Sequence, residues 1–135
     1  MMRLVTGCLF LIGTATALAS GSQVSRGLDS FSIILERDGS RWSARCERGC
    51  TFQSVSTTTR AIETPMHLDA HGLRTAATAY SEPSPFGFDL IPRGRGWEAT
   101  KAQGTVWTGL AFDCGDTPCR ARVTELGVAA IPASR

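Results

Sequence analysis

The chain has almost no excess of charge of either sign. Its 135 residues carry 14 Lys and Arg against 12 Asp and Glu, a formal net charge of +2. That balance provides no electrostatic footprint for nucleic acid or for an anionic membrane surface. The uncharged stretch Leu4 to Leu18 is shorter than the ~20 apolar residues of a membrane span, so stable membrane insertion is not expected. Amphipathic helix is missing as well: Ala76-Ala77-Thr78-Ala79 is the nearest candidate and is too short to nucleate alone. Catalytic signatures are equally scarce. No serine sits in a nucleophile elbow, there are only two histidines, and no pair stands out among the twelve acids for general acid–base work.

The first residues read as a targeting segment. Arg3 opens it, an apolar run centred on Leu9-Phe10-Leu11-Ile12 follows, and Ala17-Leu18-Ala19 places small residues at the positions a signal peptidase reads. Val5-Thr6-Gly7-Cys8 resembles a lipoprotein box, but Cys8 precedes most of the apolar run, which argues against lipidation. The expectation is a signal peptide over 1–19 and a secreted or periplasmic bacterial protein. Cleavage after Ala19 leaves 135 − 19 = 116 residues, the size of one domain, here 20–135. Of five cysteines Cys8 leaves with the signal, and Cys46, Cys50, Cys114 and Cys119 remain as an even set for an oxidising compartment.

An offset of 55 residues aligns the two halves without a gap. Phe31 falls on Phe86, Leu35 on Leu90, Gly39 on Gly94, Trp42 on Trp97, Ala44 on Ala99, Gly49 on Gly104 and Gly72 on Gly127. Like-for-like pairs lie between them: Ile33 with Phe88, Phe52 with Trp107, Val55 with Leu110, Leu68 with Val123 and Leu73 with Val128. This reads as a diverged internal repeat, about 28–80 and about 86–131, joined by the Pro-containing linker 81–85.

Within each copy the period is two. Phe31, Ile33 and Leu35 share one face of a strand, as do Phe86, Phe88 and Leu90. Turns are expected at Asp38-Gly39-Ser40 and Arg93-Gly94-Arg95. A second strand presents Trp42, Ala44 and Cys46 in one copy and Trp97, Ala99 and Lys101 in the other. Third strands are expected over 51–57 and 105–112, with a bulge near Ser54 and Gly109. Fourth strands end at Leu68 and Val123, and short fifth strands cover 73–80 and 128–131. Half a chain buries little core by itself, so the copies are expected to pack apolar faces together. The fold class is all-β, two tandem β-repeats forming a disulfide-stapled sandwich or barrel. Trp42, Trp97, Phe52 and Trp107 are the expected shared core.

Four cysteines allow three pairings. Cys46 and Cys50 flank a short hairpin loop and Cys114 and Cys119 flank a turn, so local pairing is favoured. Copy one has Thr59 and Thr64 where copy two has Cys114 and Cys119, and copy two has Lys101 and Thr105 where copy one has Cys46 and Cys50. A zinc reading of Cys46, Cys50, His67 and His71 competes, but Pro65 and Gly72 bracket the histidines and rule out a two-turn helix to carry them. His67, Asp69 and His71 would converge as metal ligands on a straight strand. The alignment of Gly72 with Gly127 instead suggests a turn. Arg93 to Trp97 is a solvated hairpin tip in preference to an RNA contact.

Along Trp42-x3-Cys46-x3-Cys50-x-Phe52, with Val55 after it, the chain resembles a loose group of small exported bacterial proteins of unknown function. The resemblance implies no activity, cofactor or partner. The expected function is a non-enzymatic binding or interaction module with no cofactor, no catalytic residues and no nucleic-acid partner. It would act on an envelope or extracellular protein or glycan through the loops 57–66 and 113–118. The alternatives are a metal-binding protein using His67, Asp69 and His71, and a small secreted hydrolase.

Overall fold

The computed structural model describes residues 28–78, 82–114 and 119–132; the expected signal segment 1–19 lies outside them. Ten strands follow in order: β1 (Ser32–Asp38), β2 (Arg41–Arg48), β3 (Ser54–Thr58), β4 (Met66–Asp69), β5 (Gly72–Thr75), β6 (Gly87–Arg93), β7 (Gly96–Gln103), β8 (Leu110–Phe112), β9 (Cys119–Thr124) and β10 (Gly127–Ala130). They form two five-stranded antiparallel sheets, ordered β10-β9-β1-β2-β3 and β5-β4-β6-β7-β8. The apolar faces meet in one core, so the molecule is an all-β, disulfide-bonded two-sheet structure.

The strand order interleaves the two ends of the chain. β9 and β10 complete the sheet begun by β1, β2 and β3, whereas β4 and β5 complete the sheet of β6, β7 and β8. The registers correspond at a spacing of 55. Leu35 faces Ala44 and Ala121; Leu90 faces Ala99 and Met66. Trp42 faces Thr57 and Trp97 faces Phe112. Phe31 and Phe86 stack at 3.8 Å between ring centroids and 12° between planes, so residues 55 apart touch at the centre. Trp42, Trp97, Phe31, Phe86 and Phe88 are almost fully buried, and each such burial contributes about 2–3 kcal/mol.

Turn chemistry explains the hairpins. Asp38 pairs with Arg41 and Arg93 with Gly96, leaving two-residue turns that open on Gly39 and Gly94, with φ of +60° and +53°. A glycine with positive φ at the first central position matches the right-handed twist of the strands. Gly49 and Gly104 are required for a second reason. A Cβ on Gly49 would lie 2.6 Å from the Ser30 carbonyl oxygen, and one on Gly104 would lie 2.0 Å from that of Pro85.

Several expectations are corrected. The third strands begin later than expected, at Ser54 and Leu110, and the β2–β3 register runs without a shift. The bulges lie instead in the β1–β2 and β6–β7 ladders, near Ser32 and Gly87. Lys101 therefore leaves the core face. At the bulge its φ is +53° and its side chain is 83% exposed, while Ala102 packs against the core. Phe52 and Trp107 sit at the core margin. Trp107 stays there because its indole N–H donates to the Thr124 carbonyl at 3.0 Å, which keeps one end of the ring near the rim. The fifth strand of the first half stops at Thr75 and passes into a single 3-10 turn, Ala76–Thr78.

Gly104→Ala is expected to lower stability in urea unfolding by about 3 kcal/mol, because strained φ and a backbone clash combine. Gly94→Ala, where a Cβ meets open space, should lower it by only about 1 kcal/mol.

Candidate functional site

The strand directions bring four connections to one end of the sandwich. The β1–β2 turn follows Asp38, next to the start of β9, since Arg37 faces Cys119. β3 ends beside Arg41, and β4 begins at Met66, which faces Leu90 three residues before the end of β6. Both hairpin tips, the β3–β4 crossover and the ends of the β8–β9 crossover therefore share this end. These crossovers are the two loops that the sequence marks for recognition; residues 115–118 of the second lie outside those described.

Arg37 holds this end together. Its side chain continues the inward series Phe31, Ile33, Leu35 and is only 4% exposed. The guanidinium donates to the Gly39 carbonyl in its own sheet at 3.0 Å. It also donates to the Gly94 carbonyl at 3.1 Å and to that of Gly96, both in the opposite sheet. It lies 5.5 Å from the Trp42 ring centroid, within reach of the electron-rich face. Burial pushes Arg37 below its ordinary value, yet an arginine remains charged. Three carbonyl dipoles and an aromatic face thus solvate a buried cation. The alternation of β1 carried this signal, since an odd-numbered position after Leu35 points inward, but sequence reasoning did not single Arg37 out. Pro92 stands in the corresponding place of the second half, facing Trp97.

The two crossovers are closed by different chemistry. In the second half Cys114 and Cys119 form a disulfide with Cα atoms 5.3 Å apart. At the corresponding positions of the first half, Thr59 and Thr64 both donate hydroxyl hydrogen bonds to the Ala61 carbonyl, at 2.7 and 2.8 Å. The Thr59 amide also donates to Ser40 at 2.9 Å, tying the crossover to the β1–β2 tip. Ile62 projects from this loop, 57% exposed. The other disulfide, Cys46–Cys50, lies at the opposite end of β2 with Cα atoms 6.1 Å apart. This pairing leaves no thiolates for the competing zinc reading.

His67, Asp69 and His71 do not converge. His67 Nδ1 lies 2.8 Å from Asp89 Oδ1 and its Nε2 lies 3.3 Å from Asp69 Oδ2. Asp69 is buried and receives Arg74 Nη2 at 2.6 Å and the His71 amide at 2.8 Å. The His71 ring turns to the Pro83 carbonyl at 3.0 Å. The cause is the two-residue turn between Asp69 and Gly72, which ends the shared strand face before His71. Asp89, from β6, is the partner that sequence reasoning missed, because only the β4–β6 register places it opposite His67. Both imidazole nitrogens of His67 face carboxylates.

The outer face of the first sheet carries a second charged group. Glu47, the extra residue of the β1–β2 bulge, accepts from Arg122 Nε at 2.7 Å and from the Ser32 hydroxyl at 2.7 Å. The Arg122 bond first, and the Ser32 bond second, hold the Glu47 carboxyl down at about 2, from an ordinary 4.5. Beside it runs a shallow cleft of about 200 Å³ lined by Ile34, Glu36, Ser43, Arg45, Ser54 and Arg120.

Comparison with protein-family models, with curated proteins and with solved structures finds no match to this chain.

Two outcomes are expected. Arg37→Met should lower stability by about 2–4 kcal/mol, since it leaves buried carbonyls without a donor. In hydrogen exchange the loss of protection should concentrate at residues 93–97. Glu47 has a depressed folded-state pKa, so its contribution is complete above about 4.5 and fades as pH falls towards about 2. The stability difference between the wild type and Glu47→Gln in urea titrations should therefore be largest near neutral pH and vanish at the acid end of that window.

Proposed function

We propose that the protein is an exported, non-enzymatic binding module that recognises an envelope or extracellular protein or glycan through the loop end of its sandwich. The observation that carries this reading is the convergence of both crossovers and both hairpin tips on one end, joined across the sheets by Arg37. Loops set on a rigid two-sheet scaffold are the usual carriers of recognition in β-sandwich domains. The ends of one crossover are joined by a disulfide, and the other crossover is braced by Thr59 and Thr64. Binding through the first crossover would therefore lose little loop entropy.

Export is supported by the amino-terminal apolar segment and by the two disulfides. Among the described residues no helix is long and apolar enough to cross a membrane. We read the two halves as diverged copies of one unit. The equivalent registers 55 residues apart, and the Phe31–Phe86 stack between equivalent positions, support that history. The resemblance of the Trp42 to Phe52 segment to small exported bacterial proteins agrees with this reading but adds no partner.

The test pairs affinity capture from an envelope extract and a glycan array with two doubly substituted proteins. Ile62→Asp with Arg95→Glu alters the loop end, and Thr100→Ser with Gln103→Glu alters the opposite half of β7. Partners retained by the wild type and by the β7 protein should be lost from the loop protein by about tenfold or more. Equal retention by all three proteins would remove the loop end as the recognition surface. Intact mass of periplasmic material should show loss of nineteen residues and four hydrogens.

A further inference from the structure

The two disulfides stand in different surroundings. Cys119 is 1% exposed and belongs to the apolar core. A thiolate formed there would be desolvated, which opposes opening of the Cys114–Cys119 bond. Arg37 faces Cys119 across the β1–β9 ladder, but its guanidinium is committed to the Gly39, Gly94 and Gly96 carbonyls. Asp113, exposed and adjacent to Cys114, opposes the approach of an anionic thiolate. Cys46 and Cys50 are half-buried and enclose the exposed loop Glu47-Arg48-Gly49. Arg45 and Arg48, both exposed, place cations beside them, while the Glu47 carboxylate is held by Arg122. Cationic, accessible surroundings favour both an attacking thiolate and a leaving one. The Arg48 carbonyl lies 3.2 Å from Cys46 Sγ and 3.6 Å from Cys50 Sγ, placed to accept from a thiol once the bond opens.

The second half of the chain shows that this connection holds its shape without a disulfide. Lys101 and Thr105 stand where the first half has Cys46 and Cys50. The backbone is nevertheless alike: Gly49 and Gly104 take φ of +85° and +73°, and each lies against the segment that leads into the first strand of its hairpin. The Thr51 amide donates to the Ala70 carbonyl at 2.8 Å, and the Val106 amide, 55 residues on, donates to the Glu125 carbonyl at 2.8 Å. Each bond ties the connection of one sheet to a hairpin turn of the other. The Cys46 amide also donates to the Gln53 carbonyl at 2.8 Å, so backbone pairing closes the connection beside the bridge.

We propose that Cys46–Cys50 is a site of reversible exchange with a dithiol, which converts the protein between an oxidised and a reduced form of one fold. A thiolate of the dithiol attacks Cys50 Sγ. The Cys46–Cys50 bond breaks, and Cys46 leaves as a thiolate that takes up a proton. The second sulfur of the dithiol, as thiolate, then attacks the mixed disulfide and displaces Cys50, which is protonated in turn. An electron pair passes from the dithiol to the cysteines. The dithiol ends as a disulfide, and its thiol protons end on Cys46 and Cys50. Cys114–Cys119 stays closed throughout. The oxidised form prevails where no dithiol is supplied. The site lies at the end of β2 remote from the crossovers, so this inference does not depend on the loop end.

Titration of the mature chain with dithiothreitol, quenched by an alkylating agent and read by peptide mass, tests it. Cys46 and Cys50 should be alkylated at about tenfold less dithiothreitol than Cys114 and Cys119. The circular dichroism spectrum of that selectively reduced form should match the oxidised one, and oxidised dithiothreitol should restore the bridge. Cys46→Ser with Cys50→Ser, which fixes the open form, should fold with the same spectrum and keep Cys114–Cys119 closed. Alkylation of all four cysteines together, or of Cys114 and Cys119 first, overturns the proposal. So does loss of the β spectrum when Cys46–Cys50 opens, or a doubly substituted chain that fails to fold, since the bridge would then be a structural staple.

Discussion

The ladder between β1 and β9 is the constraint on which the rest depends. It joins Ser32–Arg37 to residues 119–124, more than half the chain away, and it alone brings the last two strands into the first sheet. Without it Ile33 and Leu35 lose Val123 and Ala121 as neighbours, and the first sheet keeps three strands. Its counterpart, β4 on β6, closes the second sheet over a much shorter interval. Neither half of the chain can therefore complete a sheet by itself. The core forms when both exchanges are made, and long-range pairings of this kind make folding slow and cooperative.

Bracing of the loop end follows from that arrangement. Both crossovers leave one sheet and enter the other at the same end as the hairpin tips, so this end has four connections and few regular hydrogen bonds of its own. Arg37 supplies the missing link by donating to carbonyls in both sheets. The opposite end is managed with bulges, close-packed glycines and the Cys46–Cys50 bridge. Where the first half closes a crossover with threonine hydroxyls, the second half closes it with a disulfide. Two chemistries thus meet one geometric demand at positions 55 apart. The buried indole N–H groups of Trp42 and Trp97 find no hydrogen-bond partner among the described residues. Such groups cost about 1–3 kcal/mol each, which the burial of two large rings offsets.

Much of the fold was legible. Alternation in Phe31–Leu35 and Phe86–Leu90 gave the central strands, and glycines at corresponding places gave the turns. Local disulfide pairing was favoured by cysteines that flank short turns, but three pairings stayed open until the strands were placed. Legibility failed where a single residue departs from alternation. Lys101 was placed on the core face because a bulge cannot be seen in a period of two. Phe52 and Trp107 were placed in the core because hydrophobicity does not show whether an indole N–H needs the rim. At the candidate sites, His67 and Asp69 were visible as neighbours on one strand face. Asp89 was not, because it arrives through a pairing between strands.

Composition and periodicity by themselves determined the all-β class, the two-strand face pattern, the turn positions and the two closely spaced cysteine pairs, since these rest on local backbone preference and on side chains at fixed spacing. Tertiary structure alone decided which strands share a sheet, that Arg37 is buried between two hairpin tips, and that His71 turns away from His67. Each of those depends on contacts between residues tens of positions apart, and a period of two is silent about what lies across a ladder.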